Sequence, residues 1–221
     1  QRLQSISDLS GNSSGHIIVK GRRQNVANPA IFFSMSVSNS NLNKVIIGHK
    51  GNTGVGLNEV FVERWGNTAI NAGSFVTGQL YNITTVGTTN FVAIGAAAST
   101  LGTYFTATGA GSGTGAAVPV NRVSFTNNDT NFKTIDFITN GSAYDLMLAR
   151  VSQSKNLGGG GVDNGDWFAD LTSPNRANVG ICEATTNQVG RQELQFLLIC
   201  NAVLTTDERN IVETYMTENG M

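Results

Sequence analysis

Two glutamates, Glu59 and Glu63, lie four residues apart in the segment NEVFVERWG. If this segment is a β-strand, both side chains point to one face, with Cα atoms roughly 13 Å apart. Paired carboxylates of this kind can serve glycoside hydrolysis as acid and as base or nucleophile. The residue between them, however, is the apolar Phe61 rather than a further carboxylate. We therefore expect a solvated strand face rather than a catalytic pair, and Phe61 indicates that this face is partly covered.

A second acidic group occurs in the loop VDNGDWFAD, where Asp163, Asp166 and Asp170 surround a glycine. Ca²⁺ takes six to eight oxygen ligands from such loops, so these three aspartates are candidate calcium ligands. The spacing is not that of an EF-hand, which needs a glutamate at its twelfth position. An acidic turn without metal is the alternative.

Three aromatic residues near turns are candidate stacking platforms for sugar rings: Trp65, Trp167 and Tyr144. Tyr and Trp combine an apolar ring with a polar group, which suits contact with glycans. The alternative for each is an ordinary position in a β-sandwich core.

Other chemistry is not supported by the residues present. His16 and His49 stand alone, and no serine is placed for a catalytic triad. Two cysteines, Cys182 and Cys200, do not make a zinc site. They are expected to be buried thiols, with a disulfide between neighbouring strands as the alternative. Cys200 should face a core, because it shares parity with Leu194, Phe196 and Leu198.

Composition excludes several classes of partner. The net charge is −1, charged residues are 13% of the 221 residues, and Lys20, Arg22 and Arg23 form the only basic cluster. This is too little positive charge for a nucleic-acid surface. No stretch approaches the roughly 20 apolar residues of a membrane span. The polar residues are mainly Asn, Thr, Ser and Gly, which favours an all-β protein on a virion surface or outside the cell.

The elements that would position these residues are predicted strands with period-two alternation. In AIFFSMSVS, Ile31, Phe33 and Met35 should share one face. Residues 132–153 should form a hairpin that turns at Asn140-Gly141, a pair typical of type I′ turns. One helix is predicted over 205–218, close to the end of the sequence. Thr205 and Glu208 would form its capping box, and its apolar stripe would consist of Ile211, Val212, Tyr215 and Met216.

The segment 78–115 is nearly free of charge, alternates apolar and polar residues, and ends in glycines at 109, 111, 113 and 115. It resembles a module of structural proteins of marine tailed bacteriophages. The residues that match this module are Tyr81, Ile83, Gly87, Thr88, Thr89, Phe91, Ile94, Gly95, Ala96, Gly102, Phe105, Ala107, Thr108 and Gly109. Asn90 departs from it, since the module usually has Asp there.

Residues 193–216, ELQFLLICNAVLTTDERNIVETYM, resemble the end of concanavalin-like, laminin-G-type jelly rolls. The matching residues are Glu193, Asn201, Leu204, Thr205, Glu208, Arg209, Val212, Glu213 and Tyr215. Some relatives of this fold are glycoside hydrolases with the pattern E-x-D-x-E, from which Phe61 departs. Others often hold calcium on a loop, which is what the resemblance implies for the loop of Asp163, Asp166 and Asp170.

We therefore predict an all-β jelly-roll or concanavalin-like sandwich with one short C-terminal helix. Residues 1–72 and 121–221 would form the sandwich, and residues 73–120 an inserted or appended small β module. Two β domains in tandem, split near Gly115, are the alternative arrangement. The resemblance implies a phage virion surface protein: a capsid fibre, decoration or tail-associated protein that binds rather than catalyses. Its expected partners are other virion proteins, its own copies as a homo-oligomer such as a trimer, and cell-surface glycans. A secreted lectin-like adhesion module is the alternative.

Overall fold

The computed structural model describes residues 11–24, 30–36, 42–50, 58–158, 163, 165, 171, 176–179, 181–182, 188–189 and 192–221. Most of the regular structure within these residues is β-strand, and one α-helix lies at the C-terminal end. The strands are β1 Ser14–Arg23, β2 Ala30–Ser36, β3 Lys44–His49, β4 Glu59–Trp65, β5 Ile70–Asn71, β6 Leu80–Thr85, β7 Tyr104–Thr106, β8 Ala116–Thr126, β9 Lys133–Asn140, β10 Tyr144–Leu148, β11 Val151–Ser152, β12 Asn156–Gly158, β13 Arg176–Val179, β14 Ile181–Cys182, β15 Gln188–Val189 and β16 Gln192–Cys200. Helix α1 spans Thr206–Glu218.

Two antiparallel sheets carry the described part of the fold. One has five strands in the order β11-β10-β9-β1-β16, and the other runs β13-β2-β3-β4-β8-β6-β7, with β5 and β12 also paired to β8. Buried side chains from both sheets meet in the main core, including Val19 and Phe137 from the first and Phe33, Val62 and Phe125 from the second. The structure is thus the predicted two-sheet β-sandwich, held together by apolar burial between the sheets.

Strand β8 joins the sandwich to the segment that resembles the phage module. Its residues from Pro119 back to Ala116 pair with β6, and its residues from Val120 to Thr126 pair with β4. Strands β5, β6 and β7 lie between β4 and β8 in sequence and extend the larger sheet. The predicted boundary at residue 120 therefore lies inside a continuous strand.

Two β-bulges change which face some side chains occupy. A register shift between Ile31 and Phe33 places Phe32 in the main core with Phe33, while Ile31 packs on the opposite face. A second shift, where β1 pairs with β16, brings Leu197 and Ile199 towards the main core. Simple alternation therefore predicted the wrong partners for Ile31, because a bulge adds one residue and reverses parity beyond it.

The hairpin of β9 and β10 forms as predicted, but its turn falls one residue later than expected. Thr139 pairs with Tyr144, and Asn140 donates its N–H to the Ala143 carbonyl. Gly141 alone has positive φ in this turn, at 87°. Glycine at the first central position is typical of a type II′ turn rather than type I′.

Helix α1 lies across the outer face of the five-stranded sheet. Thr205 and Glu208 form the predicted capping box, and Gly220 has a positive φ of 67° just past the helix end. Met216 is buried, and the rings of Phe196 and Tyr215 lie 6.3 Å apart. The predicted apolar stripe is only half used, because Ile211 is 69% exposed. No helix within the described ranges has the length and apolar character to cross a membrane.

Candidate functional site

The segment that resembles the phage module folds around four aromatic rings. Phe75, Tyr81, Phe91 and Phe105 contact one another with centroid separations of 5.0–5.9 Å. Ile83, Ile94, Ala96 and Ala107 complete this second core, which contains no charged side chain. Such ring pairs stabilise beyond simple apolar burial. We call residues 70–115 the aromatic module below.

The residues that carry the resemblance occupy positions that this module needs structurally. Thr89 is buried, and its hydroxyl accepts the Gly115 N–H at 2.8 Å. Thr88 and Thr114 exchange two backbone-to-hydroxyl bonds of 3.1 Å each. Gly95 has φ 109°, and a Cβ there would lie 2.4 Å from the Thr106 carbonyl oxygen. The pattern therefore encodes core packing and close backbone approach rather than exposed chemistry.

Asn90 is the position that departs from the phage pattern. Its side-chain oxygen accepts the Ala93 N–H at 3.2 Å, at the start of the short 3-10 turn over Val92–Ile94. An aspartate carboxylate could accept the same bond, since Asn and Asp are both good caps. The departure therefore leaves this local structure intact.

A buried charged cluster joins the aromatic module to the sandwich. Glu63 of β4 is fully buried, and both of its carboxylate oxygens are used. Arg122 lies 2.6 Å and Lys50 3.4 Å from Oε1. Oε2 accepts the Trp65 indole N–H at 3.0 Å and the Tyr104 hydroxyl at 2.8 Å.

Electrostatics hold Glu63 in its charged form. Burial alone would raise the pKa of Glu63, but the charges of Lys50 and Arg122 and the bonds from Trp65 and Tyr104 hold that pKa well below its ordinary value. Burial also lowers the pKa of Lys50, opposed chiefly by Glu63. The ring of Tyr104 also contacts both cations, with Lys50 Nζ 4.6 Å and Arg122 Cζ 4.9 Å from its centroid. These contacts satisfy a buried anion and fix β7 against the sandwich.

This cluster corrects the expectation of a solvated face around Glu59 and Glu63. Phe61, Glu63 and Trp65 face a third small core with Leu80 and Val120, so the face is covered, as Phe61 indicated. Glu63 is committed to two cations and two neutral donors, and so has no free oxygen for a substrate. Its cation partners lie far away in sequence, at Lys50 and Arg122. The one sequence signal that could have found the cluster was an acidic residue between apolar neighbours on a covered strand face.

Trp65 and Tyr144 are not the stacking platforms that the sequence suggested. Trp65 is 1% exposed, and the Lys44 ammonium lies 3.3 Å from its ring centroid. Tyr144 is 3% exposed and belongs to the main core. Strand β4 places Trp65, and strand β10 places Tyr144, on a covered face of its sheet. Neither ring is therefore accessible to a sugar. Trp167 lies outside the described residues.

The candidate calcium loop is described at Asp163 only, since Asp166 and Asp170 lie outside the described residues. The Asp163 carboxylate accepts the Tyr144 backbone N–H at 2.7 Å and pairs with the Lys155 ammonium. A protein cation therefore already neutralises it. Within the described ranges, no group of three His, Cys, Asp or Glu side chains is arranged to hold a metal.

The remaining candidate groups are also engaged or inert. His16 Nε2 lies 3.0 Å from Asp136 Oδ1 in a buried pair. Cys200 is a free, half-buried thiol on the helix side of β16, not in the main core as parity predicted, and burial raises its pKa. The basic cluster of Lys20, Arg22 and Arg23 is partly covered. Arg23 is 1% exposed and donates to the Asn58 side chain at 2.9 Å.

Together these features define a two-sheet β-sandwich with a rigid aromatic module and, in its described part, no assembled catalytic group. No family model and no curated protein matches this chain. A solved structure of NanB with optactamide is similar at a TM-score of 0.49 and 12% identity, over 93% of this chain and 24% of that one. The chain thus spans about a quarter of the length of that structure. A likeness at this level carries no functional argument.

Proposed function

We propose that this protein is a structural component of a phage virion surface, a capsid fibre, decoration or tail-associated protein, which acts by assembly and host-surface binding and not by catalysis. The observation that carries the proposal is the placement of the matching residues. Tyr81, Phe91 and Phe105 pack in the aromatic core, and Gly95 and Thr89 provide its close contacts. A resemblance that falls on core and turn positions supports a shared module fold.

The charged cluster supports the non-catalytic part of the proposal. The one carboxylate pair that suggested hydrolysis has Glu63 locked between Arg122 and Lys50. A general acid needs a raised pKa and access to its substrate, whereas Glu63 has a lowered pKa and no exposure. Its arrangement suits a structural joint between the aromatic module and the sandwich.

Exposed apolar side chains on the aromatic module support self-association or contact with other virion proteins. Val76 is 64%, Val92 55% and Leu101 67% exposed. Large apolar side chains in contact with solvent favour burial between copies, and a homo-oligomer such as a trimer is the expected form. Many copies on one particle would multiply weak contacts with cell-surface glycans.

Immunogold electron microscopy of phage particles from the source, with antibody against this chain, tests the location. Gold on heads or tails is the expected result, and its position separates decoration from receptor binding. Bare particles, with the protein free in the medium or on cells, would refute the virion proposal. That outcome would favour the secreted lectin-like module instead.

Light scattering coupled to size-exclusion chromatography tests the assembly. The purified chain is expected to be an oligomer, and Leu101→Asp to shift it towards the monomer. Thr108→Asp is the matched control, because Thr108 is an exposed residue of the same module. A wild-type chain that is monomeric at high concentration would contradict the proposed self-association.

A further inference from the structure

We propose that the cleft between helix α1 and the outer face of the five-stranded sheet binds a small hydroxyl-rich carboxylate, of the kind that an acidic sugar presents. The cleft has a volume of ≈ 290 Å³. Its lining includes Lys20, Thr134, Arg150, Glu213, Met216 and Thr217. The inference names a ligand class for the host-surface binding in the proposed function, and rests on that function only for its biological setting.

Lys20 provides the uncompensated charge. It lies on β1 opposite Thr134 of β9 and Phe196 of β16, and its side chain is half-buried. Its ammonium forms no ion pair or hydrogen bond with any residue in the described ranges. Across the cleft, Arg150 Nη1 and Glu213 Oε2 form an ion pair of 2.9 Å and neutralise each other. The lining therefore carries one net positive charge, centred on Lys20, which favours a carboxylate there.

The other lining groups match a sugar ring rather than a bare anion. Thr134 and Thr217 place hydroxyl groups in the cleft without a hydrogen-bond partner in the described part of the chain. Glu213 adds carboxylate oxygens, one of which accepts a hydrogen bond from the Arg150 guanidinium. Met216 is 3% exposed and provides an apolar base for the C–H face of a ring. Few polar groups around an apolar base are typical of small-molecule sites.

A strained turn holds Arg150 at this place. Leu148 pairs with Val151, so Ala149 and Arg150 form a two-residue hairpin turn, with φ of 47° and 68°. Such turns are usually made by Asn and Gly, and a left-handed conformation is costly for other residues. Residues in strained conformations cluster at binding sites. Here the turn directs the guanidinium at α1, where Nη2 lies 2.6 Å from the Asn210 oxygen.

Nuclear magnetic resonance titration of the ¹⁵N-labelled chain with sodium D-glucuronate tests the proposal. We expect saturable amide shifts confined to β1, the 149–150 turn and the last turns of α1, with a dissociation constant on the order of 1 mM. D-glucose tests the carboxylate, and acetate and inorganic phosphate test the ring. Binding of glucose as tight as glucuronate, or of acetate or phosphate as tight as glucuronate, would overturn the assignment.

Variants locate the site. Lys20→Met should weaken glucuronate binding at least tenfold, and Lys20→Arg should retain most of it. Lys133→Met is the matched control on the adjacent strand, since Lys133 pairs with Asp129 away from the cleft. Thr217→Val, an exposed position on the helix wall of the cleft, gives a second reading if Lys20→Met does not fold. Unchanged binding in both cleft variants would refute the proposal. Because binding is measured on the purified chain, its failure is distinguishable from bare particles in the immunogold test.

Discussion

The Tyr104 hydroxyl donates a 2.8 Å hydrogen bond to the buried carboxylate of Glu63, and so ties strand β7 of the aromatic module to strand β4 of the sandwich. Tyr104 lies on a strand of only three residues, yet its ring also contacts the Lys50 and Arg122 cations. The bond joins the predicted small β module, residues 73–120, to the first predicted part of the sandwich, residues 1–72. It makes the module and the sandwich one mechanical unit.

Tyr104→Phe removes this bond and keeps the ring. Because the bond is to a charged, buried acceptor, we expect the free energy of unfolding to fall by about 1.5–3 kcal/mol. Urea denaturation followed by fluorescence measures it. Tyr215→Phe is the control, since Tyr215 is 53% exposed and should change stability by less than about 0.5 kcal/mol. An equal effect of both variants would contradict the role of Tyr104.

Glu63→Gln leaves the buried cations Arg122 and Lys50 without their anion. We expect a loss of about 3–5 kcal/mol in the free energy of unfolding, as for breaking a buried ion pair from one side. Glu59→Gln on the same strand is the control, with an expected change within about 0.5 kcal/mol, because Glu59 is only half-buried. A loss for Glu63→Gln as small as the control would show that the cluster does not stabilise the fold.

The same carboxylate predicts a dependence on acid. The pKa of Glu63 is lower in the fold than in the unfolded chain, so its contribution is complete above the unfolded pKa, near 4.3, and is lost as the pH falls towards the folded pKa. Stability measured in urea between pH 5 and pH 2 should decline more steeply for the wild type than for Glu63→Gln. Parallel profiles would contradict this assignment.

His49 predicts a second loss of stability, at higher pH than the loss from Glu63. Burial lowers the pKa of His49 to about 4, while its Nδ1 lies 2.7 Å from the Lys50 carbonyl oxygen. His49 is therefore protonated below about pH 6.5 in the unfolded chain, but only below about pH 4 in the folded chain. We expect protonation of His49 to lower the free energy of unfolding by about 3 kcal/mol as the pH falls from 7 to 4.

The comparison of wild type with His49→Asn isolates this effect, since the amide can still donate to the Lys50 carbonyl. The wild type should lose more stability than the variant over that range, and the two should run in parallel above pH 7. A variant that follows the wild type down to pH 4 would exclude His49 as the titrating group.

Gly95→Ala tests the close packing of the aromatic module. The new Cβ would lie 2.4 Å from the Thr106 carbonyl oxygen at a φ of 109°, so we expect a loss of about 2 kcal/mol or more in unfolding free energy. Gly109→Ala is the matched control, because no atom lies within 4 Å of its Cβ position. Thermal unfolding and limited proteolysis measure both. Equal stability of the two variants would show that the module tolerates this strain.

Much of the architecture could be predicted from the sequence alone, because it depends on local patterns. Period-two alternation predicted strands such as β4 and β9, and the Thr205 and Glu208 pair predicted the start of α1. These signals depend on residues close in sequence, where side-chain direction and capping are determined by local geometry. The resemblance at 78–115 likewise falls on residues that build a local core.

What only the tertiary structure decided concerns partners far apart in the chain. Glu63 meets Arg122 across β4 and β8, and Tyr104 reaches it from a different segment, so the sequence could not distinguish an exposed glutamate from a buried one. The bulges that move Ile31 and Cys200 depend on how two strands pair, not on either strand alone. Lys20 and Arg150 line one cleft because α1 packs back on the sheet through apolar burial. The apolar stripe of α1 predicted that one helix face would be buried, but not which sheet it would meet or which polar residues would lie beside it.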